Sequence, residues 1–121
     1  MRFGINTSPL AGREGKLVQS RAIQDRLVKE SLRNVAIRVE ETSDRDAFLV
    51  KGRGEFQMAI LIETMRREGF ELSVGRPEVI LKKDANGKTL EPIEHLYVDC
   101  DEIFMGVVTD KLAQRKGRML N

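Results

Sequence analysis

The sequence predicts an α+β fold for residues 1–80, with two helices on one face of an antiparallel sheet. Two segments place apolar residues at helical spacing, as in the run MAILIETM at residues 58–65. Shorter segments alternate apolar and polar residues, and they precede, separate and follow the two helical ones. Glycine, serine and aspartate stand at the junctions, where they favour turns and helix ends.

The first half of this region predicts one strand and one helix. Residues 2–6 alternate around Phe3 and Ile5 and then enter the glycine-containing stretch SPLAGREGKLVQSR at residues 8–21. A helix is expected over residues 20–34, with Ser20 as its N-cap. Its apolar side would comprise Ile23, Leu27, Val28 and Leu32.

The second half predicts a hairpin, a helix and a final strand. Val35, Ile37 and Val39 alternate with polar neighbours, and the turn TSDRD at residues 42–46 leads into a strand over residues 47–51. The sequence GRGE at residues 52–55 opens a second helix, which Gly69 ends. Alternation at Phe70, Leu72 and Val74 predicts the last strand. The order β-α-β-β-α-β is that of a ferredoxin-like split βαβ sandwich.

A connector over residues 81–92 and a truncated second βαβ unit over residues 93–121 are expected next. The connector contains an Asn-Gly turn signal. Alternation over residues 96–100 predicts a strand with the thiol of Cys100 facing a core, and Asp101 is expected to cap a helix that Gly117 ends. Residues 118–120 have the pattern of a strand that begins there. The buried side of the helix would comprise Phe104, Met105, Val108 and Leu112.

Composition narrows the class of protein. The 121 residues are 40% hydrophobic and 33% charged with a net charge of +2, which is typical of a globular chain and requires any nucleic-acid partner to meet a local basic patch. A single cysteine and the lack of a long apolar run favour a cytoplasmic protein without a membrane partner.

The loop at residues 8–16 has the composition of a phosphate-binding loop but not its spacing. A G-x-x-x-x-G-K-[ST] motif ending at Gly15 and Lys16 requires glycine where Leu10 stands and a hydroxyl where Leu17 stands. Catalytic residues, cofactor ligands and metal ligands are therefore not expected. His95 is the only histidine, and the acidic residues around residues 40–46 lack the spacing of a calcium loop.

Cationic side chains are the candidate functional residues. Exposed backbone N–H groups and flexible cations in one loop suit a nucleic-acid phosphate, although cations at helix ends commonly serve only the helix dipole. The candidates for nucleic-acid binding are Arg13, Lys16, Arg21, Arg66, Arg67, Arg115, Lys116 and Arg118.

Four stretches together resemble the BipA/TypA family of ribosome-associated translational GTPases. They are NTSPLAGREGK at residues 6–16, NVAIRVEET at 34–42, GRGEFQMAILIETMRREGFELSVGRPEVI at 52–80 and EPIEHLYVDCDEIFMGVVTDKLAQRKG at 91–117. Glycine-x-glycine-glutamate before an apolar helix is shared with the third domain of elongation factor G. Phe56 and Gln57 depart from the leucine-histidine pair associated with that position.

The resemblance implies the third domain and the start of the fifth domain of such a GTPase. It further implies binding to the ribosome and ribosomal RNA, coupling of GTP state to the ribosome, contacts with other domains of the parent protein, and roles in stress and cold adaptation and ribosome assembly. GTP and magnesium are implied for the parent protein only, so this segment is expected to be non-catalytic.

Two alternatives stay open on the sequence, namely a stand-alone ferredoxin-like RNA-binding protein and a small-molecule regulatory domain. The incomplete second unit is expected either to pack against the first domain or to pair with a second copy in a dimer or domain swap.

Overall fold

Residues 1–120 are described by a computed structural model, and the chain divides into two units, Met1–Val79 and Ile80–Asn121. The first unit contains the helices and strands β1 (Arg2–Ile5), α1 (Ser20–Arg33), β2 (Arg38–Glu41), β3 (Ala47–Lys51), α2 (Glu55–Arg67) and β4 (Leu72–Val74). The second contains β5 (Lys82–Lys83), β6 (Thr89–Leu90), a single 3-10 turn (Glu102–Phe104) and α3 (Met105–Gln114).

The first unit is a four-stranded antiparallel sheet with the strand order β2-β3-β1-β4. Residue Phe3 in the central strand β1 is paired with Phe48 on one side and with Val74 on the other. The predicted hairpin is present, with Val39 of β2 opposite Val50 of β3. The predicted α+β fold with a ferredoxin-like arrangement is confirmed.

One hydrophobic core joins both helices to the sheet. Because α1 and α2 each place apolar residues three or four positions apart, each presents an apolar stripe that the sheet covers. The buried cluster comprises Phe3, Ile23, Leu27, Ile37, Phe48, Val50, Met58, Leu61 and Met65. Its position fixes the two helices on one face of the sheet and leaves the loops at the strand ends free to carry polar groups.

Helix α1 differs from its prediction in two respects. Gln19 occupies the N-cap position, and the hydroxyl of Ser20 donates instead to the carbonyl oxygen of Arg45 at 2.9 Å. Val28 and Leu32 were expected on the buried side, but they are exposed, Leu32 by 79%. The apolar stripe is therefore narrower than the sequence indicates, since only Ile23 and Leu27 of this helix are buried. Val35 is 90% exposed and precedes β2.

Helix α2 ends as its sequence predicts. Gly69 has a φ of +90°, which glycine adopts without a steric penalty. Its amide donates to the carbonyl of Arg66 at 3.0 Å, and the amide of Phe70 donates to that of Met65 at 3.0 Å. This pair of hydrogen bonds satisfies carbonyls that the end of a helix leaves free and turns the chain into β4.

The second unit lacks the predicted strand over residues 96–100. These residues form no ladder, and the thiol of Cys100 is exposed rather than facing a core. Residues 118–120 are not a strand either. Alternation favours a strand only where a partner strand supplies hydrogen bonds, and none is paired with these residues within residues 1–120.

Helix α3 forms where it is predicted, although its apolar side is not buried. The carboxylate of Asp101 makes no capping hydrogen bond, and a 3-10 turn precedes the helix. No residue of α3 is buried, and Phe104 and Met105 are more than half exposed. The predicted Asn-Gly turn is flanked by β5 and β6 within the expected connector. In the part of the chain that the structure describes, no helix combines the length and the apolar character needed to cross a membrane.

Candidate nucleic-acid interface

Backbone amides of the glycine-containing loop donate hydrogen bonds to a carboxylate of the protein itself. The amides of Gly12, Glu14 and Gly15 donate to Oε2 of Glu71 at 3.0, 3.2 and 3.1 Å. The side-chain amide of Asn6 donates to Oε1 of the same residue. Converging amides suit an oxyanion, and here the anion is the carboxylate of the residue immediately before β4.

Two further hydrogen bonds attach the end of the loop to the segment that contains Glu71. The amide of Leu17 donates to the carbonyl of Gly69 at 3.1 Å, and the amide of Glu71 donates to the carbonyl of Leu17 at 3.2 Å. Gly15 is buried, and a Cβ atom there would lie 2.7 Å from the carbonyl oxygen of Gly69. Gly12 serves a different purpose, since its φ is +87° and the space around it is open.

These contacts correct one expectation about the loop. The sequence suggests that its backbone N–H groups are free for a nucleic-acid phosphate, but the three amides that converge are bound to Glu71. The hydrogen bond from the Asn6 side chain lowers the pKa of Glu71, as do those from the amides of Gly15, Glu14 and Gly12, while desolvation opposes them. The ionised carboxylate is therefore the form that the loop binds.

The two cations of the loop remain available to a ligand. Arg13 lies between Gly12 and Glu14, and Lys16 follows Gly15, so both cations sit beside residues whose amides are bound. Both side chains are exposed. Within residues 1–120, neither of them takes part in an ion pair or a side-chain hydrogen bond.

The carboxyl end of α2 lies beside this loop and contributes two more of the predicted cations. Arg66 and Arg67 line a groove of about 450 Å³ together with Glu14 of the loop and Glu71. Glu63 lies 3.7 Å from Arg66 and 3.3 Å from Arg67, measured between nitrogen and oxygen. The groove thus mixes both signs of charge, which favours a few phosphate contacts over a broad basic surface.

The remaining predicted cations lie elsewhere. Arg21 is exposed in the first turn of α1. It lies four residues after Leu17, which is bonded to Gly69 and Glu71. Arg115, Lys116 and Arg118 belong to the second unit. Lys116 has a φ of +61°, in the position after the C-cap of α3 where glycine is usual.

An ion pair between the helices is a feature that the sequence did not predict. The guanidinium of Arg26 on α1 donates to both oxygens of Glu68, at 2.5 and 3.0 Å, and to Glu30 at 2.9 Å. The hydrogen bond between Arg26 and Glu68 lowers the pKa of the Glu68 carboxyl and raises the pKa of the Arg26 guanidinium. This pair fixes the end of α2, next to Gly69 and the loop.

The acidic turn before β3 pairs with its surroundings. Asp44 contacts Arg2, Glu40 contacts Lys51, and Glu41 accepts a hydrogen bond from Gln24. Among the described residues, no three histidine, cysteine, aspartate or glutamate side chains are grouped as metal ligands would be.

Comparison with known proteins finds similar sequences over the whole length of the chain. It is 54% identical over all 121 residues to the large ribosomal subunit assembly factor BipA of Escherichia coli strain K12, and equally so to that of Salmonella typhimurium strain LT2. The chain belongs to the BipA/TypA family and corresponds to one segment of its members. BipA of Synechocystis sp. is 50% identical over 119 residues, or 98% of this chain. No protein-family model matches the chain.

The matched segment is a fraction of BipA. The chain spans about a fifth of the length of the curated relatives, 20% for those of Escherichia coli, Salmonella typhimurium and Synechocystis alike. The identity extends over both units, so the resemblance expected from the four sequence stretches is confirmed for the whole chain.

Proposed function

We propose that this chain is the part of a BipA-family protein that binds the ribosome and transmits the GTP state of the parent protein to it. The observation that carries the proposal is 54% identity, over the whole chain, to proteins named as large ribosomal subunit assembly factors. The chain would correspond to the third domain of the parent GTPase and to the start of its fifth domain. Its place would be the cytoplasm, on the ribosome, with roles in assembly and in growth under stress and cold.

The cationic loop is the proposed contact with ribosomal RNA. Arg13 and Lys16 are exposed and have no anionic partner within residues 1–120, so a phosphate would displace water rather than break an existing ion pair. Arg66 and Arg67 would add contacts from the neighbouring groove, at the cost of their interaction with Glu63. Arg21, Arg115, Lys116 and Arg118 are proposed as further contacts.

Binding through so few cations is expected to be weak and sensitive to salt. Each phosphate that is neutralised releases counterions, so affinity falls with salt in proportion to the number of contacts. The mixed charge of the groove limits attraction at a distance, because Glu14, Glu63 and Glu71 offset part of the field of the arginines. Specificity of the chain for the ribosome would then come from the positions of these few phosphate contacts.

Substitution of the loop cations tests the proposal. The variant Arg13→Ala/Lys16→Ala is expected to bind isolated large ribosomal subunits several-fold more weakly than the parent chain in a filtration or interferometry assay. The matched control is Lys29→Ala/Arg38→Ala, which removes the same charge from exposed positions of α1 and β2. Equal losses in the two variants would show a nonspecific charge effect and contradict a loop contact.

The segment itself is proposed to be non-catalytic. Leu10 and Leu17 stand where a phosphate-binding loop requires glycine and a magnesium-binding hydroxyl. Titration with GTP and magnesium in a calorimeter is expected to give only heats of dilution. A saturable heat at micromolar concentrations of the chain would contradict this.

A second copy of the chain is the proposed cover for the apolar side of α3. Phe104 and Met105 are more than half exposed, and no residue of this helix is buried. Burying side chains of this size is worth roughly 1.5–3 kcal/mol each. Light scattering over a range of concentrations is expected to show a dimer that Phe104→Ser weakens, and a monomer at every concentration would contradict it.

A further inference from the structure

We propose that Glu71 is a positioning residue of the interface, which holds the loop so that Arg13 and Lys16 meet phosphate groups without touching RNA itself. This inference rests on the proposed function. Glu71 is acidic and would ordinarily oppose binding to RNA. Its contacts with the loop are expected to make it favour RNA binding instead.

The residues on both sides of each cation in the sequence are bonded to Glu71 or to its neighbours. Arg13 is flanked by Gly12 and Glu14, and both flanking amides donate to Oε2 of Glu71. Lys16 follows Gly15, the third donor, and precedes Leu17, which is bonded to Gly69 and Glu71. The backbone on both sides of each cation is therefore attached to one carboxylate or to the segment that contains it.

The entry to the loop is attached to the same carboxylate. The side-chain amide of Asn6 donates to Glu71, while its side-chain oxygen accepts the amide of Ser8 at 3.0 Å. The hydroxyl of Ser8 in turn accepts the amide of Leu10 at 3.2 Å. Loss of the carboxylate would thus release contacts at the entry, the centre and the end of the loop.

A fixed backbone should strengthen phosphate binding by the exposed cations. Ordering one long side chain at an interface costs free energy, and a backbone that is already fixed reduces the ordering left for the complex. We therefore expect Glu71→Gln to bind large-subunit RNA about two- to tenfold more weakly, the range that corresponds to one ordered side chain. Coulomb's law alone predicts tighter binding, since the variant loses a negative charge.

The control is another acidic residue of the same groove. Glu63 contacts Arg66 and Arg67, and within residues 1–120 it accepts no hydrogen bond from the loop. Glu63→Gln makes the same change in charge, so it is expected to bind RNA more tightly than the parent chain. Changes in RNA affinity of opposite sign in the two variants would separate a positioning effect from an electrostatic one.

The experiment measures RNA affinity by fluorescence anisotropy for Glu71→Gln and Glu63→Gln, each alone and combined with Arg13→Ala/Lys16→Ala. The positioning role predicts that Glu71→Gln weakens binding alone but has no such effect when the loop cations are absent. The effect of Glu63→Gln should persist in both backgrounds. A merely structural loss of stability would weaken binding in both.

A second variant keeps the test decisive if Glu71→Gln does not fold. Asn6→Ala removes one hydrogen bond to Glu71 without changing net charge, and it should weaken binding in the same dependent way. Binding by Glu71→Gln or Asn6→Ala that equals or exceeds that of the parent chain would overturn the inference. If Arg13→Ala/Lys16→Ala itself leaves affinity unchanged, the proposed loop contact fails and the inference fails with it.

Discussion

Substituting Gly15 by alanine should destabilise the first unit through a close backbone contact. The added methyl would lie 2.7 Å from the carbonyl oxygen of Gly69 and 3.1 Å from both the amide nitrogen and Cβ of Glu71. Two of these atoms belong to the backbone that bonds to Leu17, so no flexible side chain can move aside. The loop and the start of β4 must separate instead.

The size of the effect follows from what the separation disrupts. Overpacking of this kind costs about 1–3 kcal/mol, and each weakened hydrogen bond between Leu17 and its two partners adds about 0.5–1.5 kcal/mol when it is lost completely. Since partial relaxation limits both effects, we expect a loss of about 2 kcal/mol. For a unit of this size that lowers Tm by roughly 8–16 °C.

Thermal unfolding followed by circular dichroism measures this loss, with Gly12 as the comparison. Gly12 has a φ of +87° in open space, so Gly12→Ala should cost about 1 kcal/mol through backbone strain alone, and Gly12→Asn should cost less because asparagine tolerates this conformation. At Gly15, asparagine should be no better than alanine. A Gly15→Ala variant as stable as the parent chain, or one improved by asparagine, would refute the close-contact argument.

Three further predictions concern the end of α2 and its carboxylates. Gly69→Ala should lower the free energy of unfolding in urea by about 1 kcal/mol, and Gly69→Asn by less, because φ is +90° with no neighbouring atom; equal losses would contradict this. Arg26 and Glu68 should show a coupling of about 1 kcal/mol in a double-mutant cycle, a value kept small because Glu68 is 39% exposed, and Arg26→Lys should retain only part of it; additive losses would exclude the interaction. The lowered pKa values of Glu68 and Glu71 contribute stability that is present above the ordinary value of 4.5 and lost as pH falls through the folded-state values. Urea midpoints should therefore fall in acid for the parent chain and fall less for Glu68→Gln/Glu71→Gln, and parallel pH profiles would be evidence against both assignments.

The elements of the first unit are predictable because their signals are local. The spacing of Met58, Leu61 and Met65 places one face of α2 in the core, and Gly69 ends the helix by its own conformational freedom. The same reasoning overestimates α1, where Leu32 continues the apolar pattern beyond the point at which the sheet covers the helix. Periodicity shows which residues share a face but not how far the neighbouring layer extends.

The contact between Glu71 and the loop could not be predicted from local signals. It joins residues 56 to 59 positions apart, and an acidic residue before a short strand is typical of a solvated surface. A glycine-containing cationic loop indicates an anion, yet the sequence does not say whether that anion is a ligand or the protein's own carboxylate. Residues 96–100 illustrate the same limit, since their alternation predicts a strand, but alternation does not show whether a partner strand is present.

The salt dependence of RNA binding tests the cationic loop most directly. Affinity for large-subunit ribosomal RNA would be measured at several salt concentrations for the parent chain, Arg13→Ala/Lys16→Ala and Lys29→Ala/Arg38→Ala. Two lost phosphate contacts should reduce the slope of log K against log salt by about 1.4–1.8, while the control keeps the slope of the parent chain. Equal slopes for the parent chain and the loop variant would contradict the claim that Arg13 and Lys16 bind phosphate.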